Sequence, residues 1–419
     1  MSTTALARPR SCWPQQLLFG WLNLVLTAPI IYLFAGLPLV MRQHDWSGTE
    51  IGLLQLAGLP AMLKFVLATP LDRWHLGKAN YRNWTIVLSV GYAVVLLLLA
   101  ANDLTSTPHP MLFALTMIAS LLGTWADVPV NALAIRILPE SERIRAGAIR
   151  SLAASLAAIA GGGLMLVLQT RLGWAWPFTI MAASILPSVI LLRWLDISDS
   201  RFVASPSGHT SRAGFKEWIG YFRIAEHRAW TLLLFYFPAI GAAWVYIKPL
   251  MLDHGFTQEQ IAWGIGVLGG LVAAVSSMLA GRIIRRVGPR TSLPLFAVLN
   301  TLAMVALTIV ITADLGKEAL MAAALALALA MGASAGLLFG LMMNHARQPL
   351  AALDYGMQSS LFIASRTIAP LLVGILLDWQ GYGGMLIGLV IALCIVCLLV
   401  WFSRDRIFAH HNADERGAH

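Results

Sequence analysis

The chain has 419 residues, 58% of them hydrophobic and only 12% charged, with a mean hydropathy of +0.74. A soluble domain carries about 25% charged residues, so this balance excludes a soluble globular enzyme, a disordered tail protein and a disulfide scaffold. The net charge of +9 points to basic loops at a membrane face and not to a nucleic-acid partner.

Apolar runs fall at 15–41, 49–70, 84–102, 111–135, 147–170, 174–195, 229–250, 259–281, 291–313, 319–344, 356–377 and 382–402. Each is of the length that crosses about 30 Å of hydrocarbon as a helix, and together they predict an all-α membrane protein of twelve spans. The first run is too long for a signal-peptide core and is expected to remain as span one. One long connection divides the chain into a tail (1–14), a first six-helix bundle (15–195), a linker (196–228), a second bundle (229–402) and a second tail (403–419). With the N-terminus cytoplasmic, 23 of the 29 basic residues, Arg150 among them, fall in inner loops and tails, and Arg42, Arg171 and Lys317 fall outside. That bias places both termini inside.

Before span two, Trp46-Ser47 with Glu50-Ile51 forms a capping-box pattern, and 210 residues later Phe256-Thr257 with Gln260-Ile261 repeats it before span eight. In such a box the hydroxyl satisfies a first-turn amide and the Glu or Gln reaches back. Each of these spans ends in a short basic loop: Asp72-Arg73 with Gly77-Lys78, and Gly281 with Arg285-Arg286 and Gly288-Pro289-Arg290. The repeat predicts two pseudo-symmetric halves that rock about a site between them. In the linker, Phe215, Trp218, Ile219 and Phe222 recur at i, i+3, i+4 and i+7, which predicts a short helix lying in the inner interface and tethering the halves.

Nothing in the chain suggests catalysis or a resident cofactor. There is no G-x-x-x-x-G-K-[ST] loop and no G-x-S-x-G elbow, and the ten histidines show no metal spacing. The G-x-G-x-x-G at Gly264, Gly266 and Gly269 lies inside span eight and reads as close helix packing. Cys12, Cys394 and Cys397 read as ordinary buried thiols.

The informative residues are ionisable groups at membrane depth, because each must face a partner, a cavity or water. These are Lys64, Asp127, Lys248 and Arg366. Lys64 and Asp127 lie at similar depth and are placed to pair, either as a structural salt bridge or as a carboxylate that changes protonation during transport. Asn131 follows Asp127 by one turn with Pro129 between them, which predicts a locally unwound, polar stretch. Arg366 is too deep to snorkel and is expected to meet an anionic substrate or a partner acid. Lys248 is expected to snorkel to the interface. Tyr32, Trp125, Tyr236, Trp244 and Tyr246 are candidates for a cavity lining or for lipid-belt and packing positions.

Several ordered segments resemble a known family. They are Gly36-Leu37-Pro38-Leu39, Ile51-Gly52, Lys64-Phe65, Pro70-Leu71-Asp72-Arg73, Arg82-Asn83-Trp84, Asp127, Leu138-Pro139-Glu140-Ser141-Glu142-Arg143, and Asp354-Tyr355 with Gln358 and Arg366. The chain resembles the major facilitator superfamily, and within it the branch of AmpG-type muropeptide permeases, acetyl-CoA transporters and RhtX/FptX-type siderophore permeases. Twelve spans in 419 residues and Asp354-Tyr355-Gly356-Met357-Gln358 are most similar to the siderophore permeases.

The resemblance implies a bacterial inner-membrane importer of a siderophore or its iron complex, working as a monomer by alternating access on the proton gradient. Iron would enter only as part of the substrate, and the partners are that small molecule and the bilayer. It implies Asp127 as a titratable acid, Lys64 as its partner, Arg366 as an anion contact, Gln358 as a cavity contact, and Asp72 with Arg73 at the inner gate. Two departures stand out: Asn131 replaces an aspartate common in the branch, and Arg285 stands where an acid is usual. An anhydromuropeptide permease is the alternative carrier; a non-transporting receptor and a membrane-embedded enzyme are alternatives of other classes.

Overall fold

The computed structural model describes residues 12–43, 56–74, 76–77, 79–103, 106–194, 215–347 and 350–408, and among them there is no strand. The helices are α1 (Trp13–Gly36), α2 (Lys64–Arg73), α3 (Asn80–Ala101), α4 (His109–Ile137), α5 (Glu140–Leu172), α6 (Ala175–Trp194) and α7 (Phe215–Arg223). They continue with α8 (Ala225–Asp253), α9 (Glu259–Val287), α10 (Pro289–Thr312), α11 (Lys317–Asn344) and α12 (Ala351–Ile407). All but α2 and α7 are long and apolar enough to cross a membrane, which makes ten such helices among the described residues.

The ten reconcile with twelve spans through two local features. The 57-residue α12 breaks at Gly381, where φ is 65° and ψ is −171°, a backbone that a side chain would strain, so it holds two spans in succession. The second apolar run is described from Leu56 onward, as a 3₁₀ stretch (Leu56–Leu63) leading into α2. The first capping box, the tail before Cys12 and the tail after Phe408 lie outside the described residues. The second box is present as read: Gln260 N donates to Thr257 Oγ1 (3.2 Å), and Thr257 N donates to Gln260 Oε1 (3.0 Å).

Two readings of helix shape need correction. α4 runs unbroken through Pro129, so the predicted unwinding is absent. Asn131 Nδ2 bonds the Asp127 carbonyl (2.6 Å) within the continuous helix. The irregular turns lie elsewhere, as π-helical stretches at Tyr32–Gly36, Ala160–Leu164 and Ala262–Gly269. Such turns insert one residue and re-aim the faces on either side. In the last of them Gly264 abuts Met321 and Gly269 abuts Trp244, whereas Gly266 faces open space. Cys394, read as buried, is exposed.

Within the first half α1 packs on α4, α5 and α6, and α3 packs on α4 and α6; in the second, α10 packs on α11 and α12, and α9 on α11. The halves meet where α5 lies against α9 and α11, and where α2 lies against α12. This contact is concentrated at the end of the molecule that carries Arg73, Arg143, Arg290 and Arg347, here termed the basic side. There Leu353 N donates to Asp72 Oδ2 (2.7 Å) and Ser277 Oγ to the Ala148 carbonyl (3.0 Å), both across the halves. One buried apolar cluster also runs through both halves, from Ile135 and Ile144 to Ile284, Leu337 and Leu341. On the far side, bonds such as Trp174 Nε1 to the Leu99 carbonyl and Tyr382 Oη to Asp253 stay within one half. A separate cluster around Met251, Phe256, Leu320 and Met385 belongs to the second half alone.

Where α5 crosses α11, the basic-side seam is backbone against backbone. A Cβ on Gly147 of α5 would lie 2.2 Å from Gly340 N and 2.6 Å from the Gly336 carbonyl of α11. Gly336 and Gly340 are a small-xxx-small pair of the kind that lets helices approach closely. The linker helix α7 reinforces the same side. Trp218 meets the Phe65 ring edge-on (5.1 Å) and packs on Leu350 and Leu353, so α7 touches both halves. Ile219 and Phe222, beside Trp218 on the same apolar stripe, remain exposed.

Candidate functional site

Lys64 and Asp127 are brought together. Lys64 Nζ donates to Asp127 Oδ2 at 2.6 Å, and both side chains are about nine-tenths buried. Pairing across this depth follows from the 3₁₀-to-α junction that starts α2 at Lys64, opposite the middle of α4. Arg150, which the charge tally assigned to an inner loop, is the third member. It sits ten residues into α5, its side chain is 12% exposed, and its Nη2 donates to the same Asp127 Oδ2 at 3.2 Å. Asn131 Nδ2 donates to the other oxygen, Oδ1, at 3.0 Å.

One carboxylate therefore serves two cations, and the cluster carries a net charge of +1. The guanidinium of Arg150 also lies over two rings of the second half, Phe339 (4.8 Å) and Tyr355 (5.2 Å). The cluster is built by α2, α4 and α5 of the first half and covered by α11 and α12 of the second. Phe339 meets Phe362 (5.6 Å), and Phe362 lies under the Arg366 guanidinium (5.7 Å), so an aromatic path leads from the cluster to Arg366. Arg366 is exposed and has no acidic ion-pair partner among the described residues.

Other candidates lie elsewhere. Gln358 is fully buried and fully engaged, accepting from Trp230 Nε1 (2.6 Å) and donating to the Met342 carbonyl (3.1 Å), so here it joins helices of the second half instead of lining open space. Tyr32 is buried inside the first half, bonded to Gln169 and edge-on to Phe178 (5.3 Å). Tyr246 bonds the Pro370 carbonyl (2.9 Å), and Trp125 packs on Trp84. Lys248 is exposed.

Asp72 holds the basic-side seam. One oxygen accepts from Tyr81 Oη (2.5 Å) and the other from Leu353 N, a first-turn amide of α12, so the carboxylate caps a helix of the opposite half. Arg73 beside it is exposed. Close by, Arg347 grips Asp354 with two nitrogens (both 2.8 Å) and donates to the Glu217 carbonyl of the linker helix (3.1 Å). Burial alone lowers the Arg347 guanidinium, but its bonds to Asp354 and the nearby Glu217 outweigh that and raise it, so it stays charged. A cavity of about 290 Å³ opens next to this pair, lined by Glu140, Glu226, His227, Asn344, His345 and Arg347.

A buried charge cluster between two helical halves, with a latch on one side, is the layout of an alternating-access carrier. A family model for the Major Facilitator Superfamily matches residues 19–362. The chain belongs to this superfamily. It is a multi-pass membrane protein and a secondary transporter, not an enzyme. Among curated proteins it is similar to the anhydromuropeptide permeases of Escherichia coli strains K12 and O157:H7, each 23% identical over 368 residues, which is 83% of this chain and 73% of the relative. Among solved structures it is similar to the Major Facilitator Superfamily transporter FucP in the outward conformation, with a TM-score of 0.70 at 16% identity over 93% of this chain and 98% of that one. A bacterial homologue of the iron transporter ferroportin in an outward-facing state gives 0.69 at 13% identity, with the same coverage. At these identities the structural likenesses concern the fold.

Proposed function

We propose that this transporter imports a siderophore or its ferric complex across a bacterial inner membrane, driven by the proton gradient, with Asp127 as the group that exchanges the proton. The observation that carries the reading is the surplus positive charge: Lys64 and Arg150 share one acid, and Arg366 adds a second unneutralised cation on the same path. A cation at membrane depth without a counter-charge is costly, and an anionic chelator removes that cost on binding. The Asp354-to-Gln358 segment, similar to that of siderophore permeases, directs the choice of chelator. With the basic side cytoplasmic, as the loop charges argue, the seam held by Asp72 makes this the outward-facing conformation. The bundles at 15–195 and 229–402 are the rocking units, and the carrier works as a monomer.

A second reading, an anhydromuropeptide permease, is favoured by the relatives from Escherichia coli. Iron-55 uptake from several ferric siderophores, in cells with and without the gene and with and without a protonophore, separates the two. Gene-dependent, protonophore-sensitive iron accumulation supports the first reading. Restored wall recycling in a permease-deficient strain, without iron uptake, supports the second.

A further inference from the structure

Two polar atoms of the central cluster have no hydrogen-bond partner among the described residues, Arg150 Nη1 and Asn131 Oδ1, and the Tyr355 hydroxyl beside them accepts from Ser359 with its own proton still to give. Asn131 and Tyr355 are fully buried. An unmet buried donor or acceptor costs about 1–3 kcal/mol, more when it is charged, so two beside one carboxylate are a local deficit.

The deficit has a definite chemical sense. Arg150 gives Nη2 to Asp127, keeps Nη1 unpartnered, and lies over the Phe339 and Tyr355 rings of the second half, where Tyr355 carries a hydroxyl. Asn131 commits its amide nitrogen to Asp127, so its oxygen can only accept. Two donors beside an uncompensated cation call for an oxyanion, and the acceptor calls for a hydroxyl or N–H next to it.

We propose that Arg150 and Tyr355 form a subsite for a substrate oxyanion, one group from each half, with Asn131 reading a neighbouring hydroxyl or N–H. The proposal deepens the transport reading above and rests on it for the identity of the cargo. Hydroxycarboxylates and the carboxyl ends of peptides present this pair of features. An anion held here ties α5 to α12, so its binding favours the conformation in which those helices meet.

The test uses the purified full-length protein with sodium citrate, a hydroxycarboxylate, against sodium chloride at matched ionic strength and pH. The readout is thermal stability, with iron-55 uptake measured in parallel. Citrate is expected to stabilise the wild type specifically. Arg150→Gln should weaken that response by about 100-fold in apparent affinity, as loss of a buried charged partner does, and Tyr355→Phe by about tenfold. Arg150→Lys should retain part of it. Without citrate, Arg150→Gln should be at least as stable as the wild type, because Lys64 and Asp127 remain a neutral pair. No citrate effect beyond chloride in the wild type, or a lower unliganded stability in Arg150→Gln with an unchanged citrate response, overturns the subsite. Siderophore uptake that is gene-dependent but indifferent to Arg150→Gln and Tyr355→Phe also overturns it while leaving the transport reading intact. The expected citrate pattern without uptake of any siderophore supports the subsite and removes the cargo.

Discussion

Asp127 is the residue on which the central charges depend. Removing one partner of a buried ion pair costs about 3–5 kcal/mol because the remaining charge is stranded, and Asp127→Asn strands two cations at once. Its unfolding temperature in detergent should fall sharply, and Asp127→Asn combined with Lys64→Met should recover much of the loss; equal stability of the two variants would contradict the shared-carboxylate geometry. At the latch, Asp72→Ala removes the acceptor for Leu353 N whereas Asp72→Asn keeps a carbonyl oxygen there. Cysteine labelling from the basic side should rise in the alanine variant and change much less in the asparagine variant. Lys64 and Asp127 were legible in the sequence because a charge inside an apolar run is conspicuous and depth can be counted at 1.5 Å per residue. Arg150 was not, because it lies within four residues of the edge of its run, where a long side chain can equally reach water. Only the position of Asp127 on the facing helix turns it inward.

Helices were legible as apolar runs, but their contacts were not. α5 begins at Glu140, seven residues before its apolar run, because Glu140 and Glu142 suit a helix N-terminus and the helix continues beyond the hydrocarbon. The Gly336 and Gly340 spacing is visible in the sequence, whereas its docking against Gly147 is a tertiary fact that no single run encodes. Gly147→Ala should therefore hold the basic-side seam apart, since the clash is with backbone that no side-chain rotation relieves. The measurable outcome is increased basic-side labelling and transport reduced by more than tenfold, with folding preserved; normal labelling would show that the seam can yield. The linker helix was legible as an apolar stripe, but not the use of that stripe: Trp218 grips both halves while Ile219 and Phe222 stay exposed. Trp218→Ala should loosen the same seam more mildly, since a single aromatic contact is worth about 0.5–1.5 kcal/mol beyond its area.

At the scale of the molecule, twelve spans, their repeat and the six-plus-six division follow from hydropathy and loop charge, because lipid leaves a chain few alternatives to helices. The conformation does not follow from the sequence: it depends on which side the halves touch, and the same residues must support contact on either side in turn. An outward-facing resting state predicts that bulky thiol reagents reach single cysteines placed near Arg366 from the far side, and that the Asp72→Ala variant loses this preference. The glycine-lined seam has a kinetic meaning as well. An interface of interlocking side chains must reset many rotamers when it parts, each at an entropic cost on reclosing. At Gly147, Gly336 and Gly340 there are almost no rotamers to reset, so at this point of the seam the work of opening is chiefly that of wetting bare peptide. The rate of that step should then follow water activity, slowing when excluded osmolytes make hydration of the parted backbone less favourable.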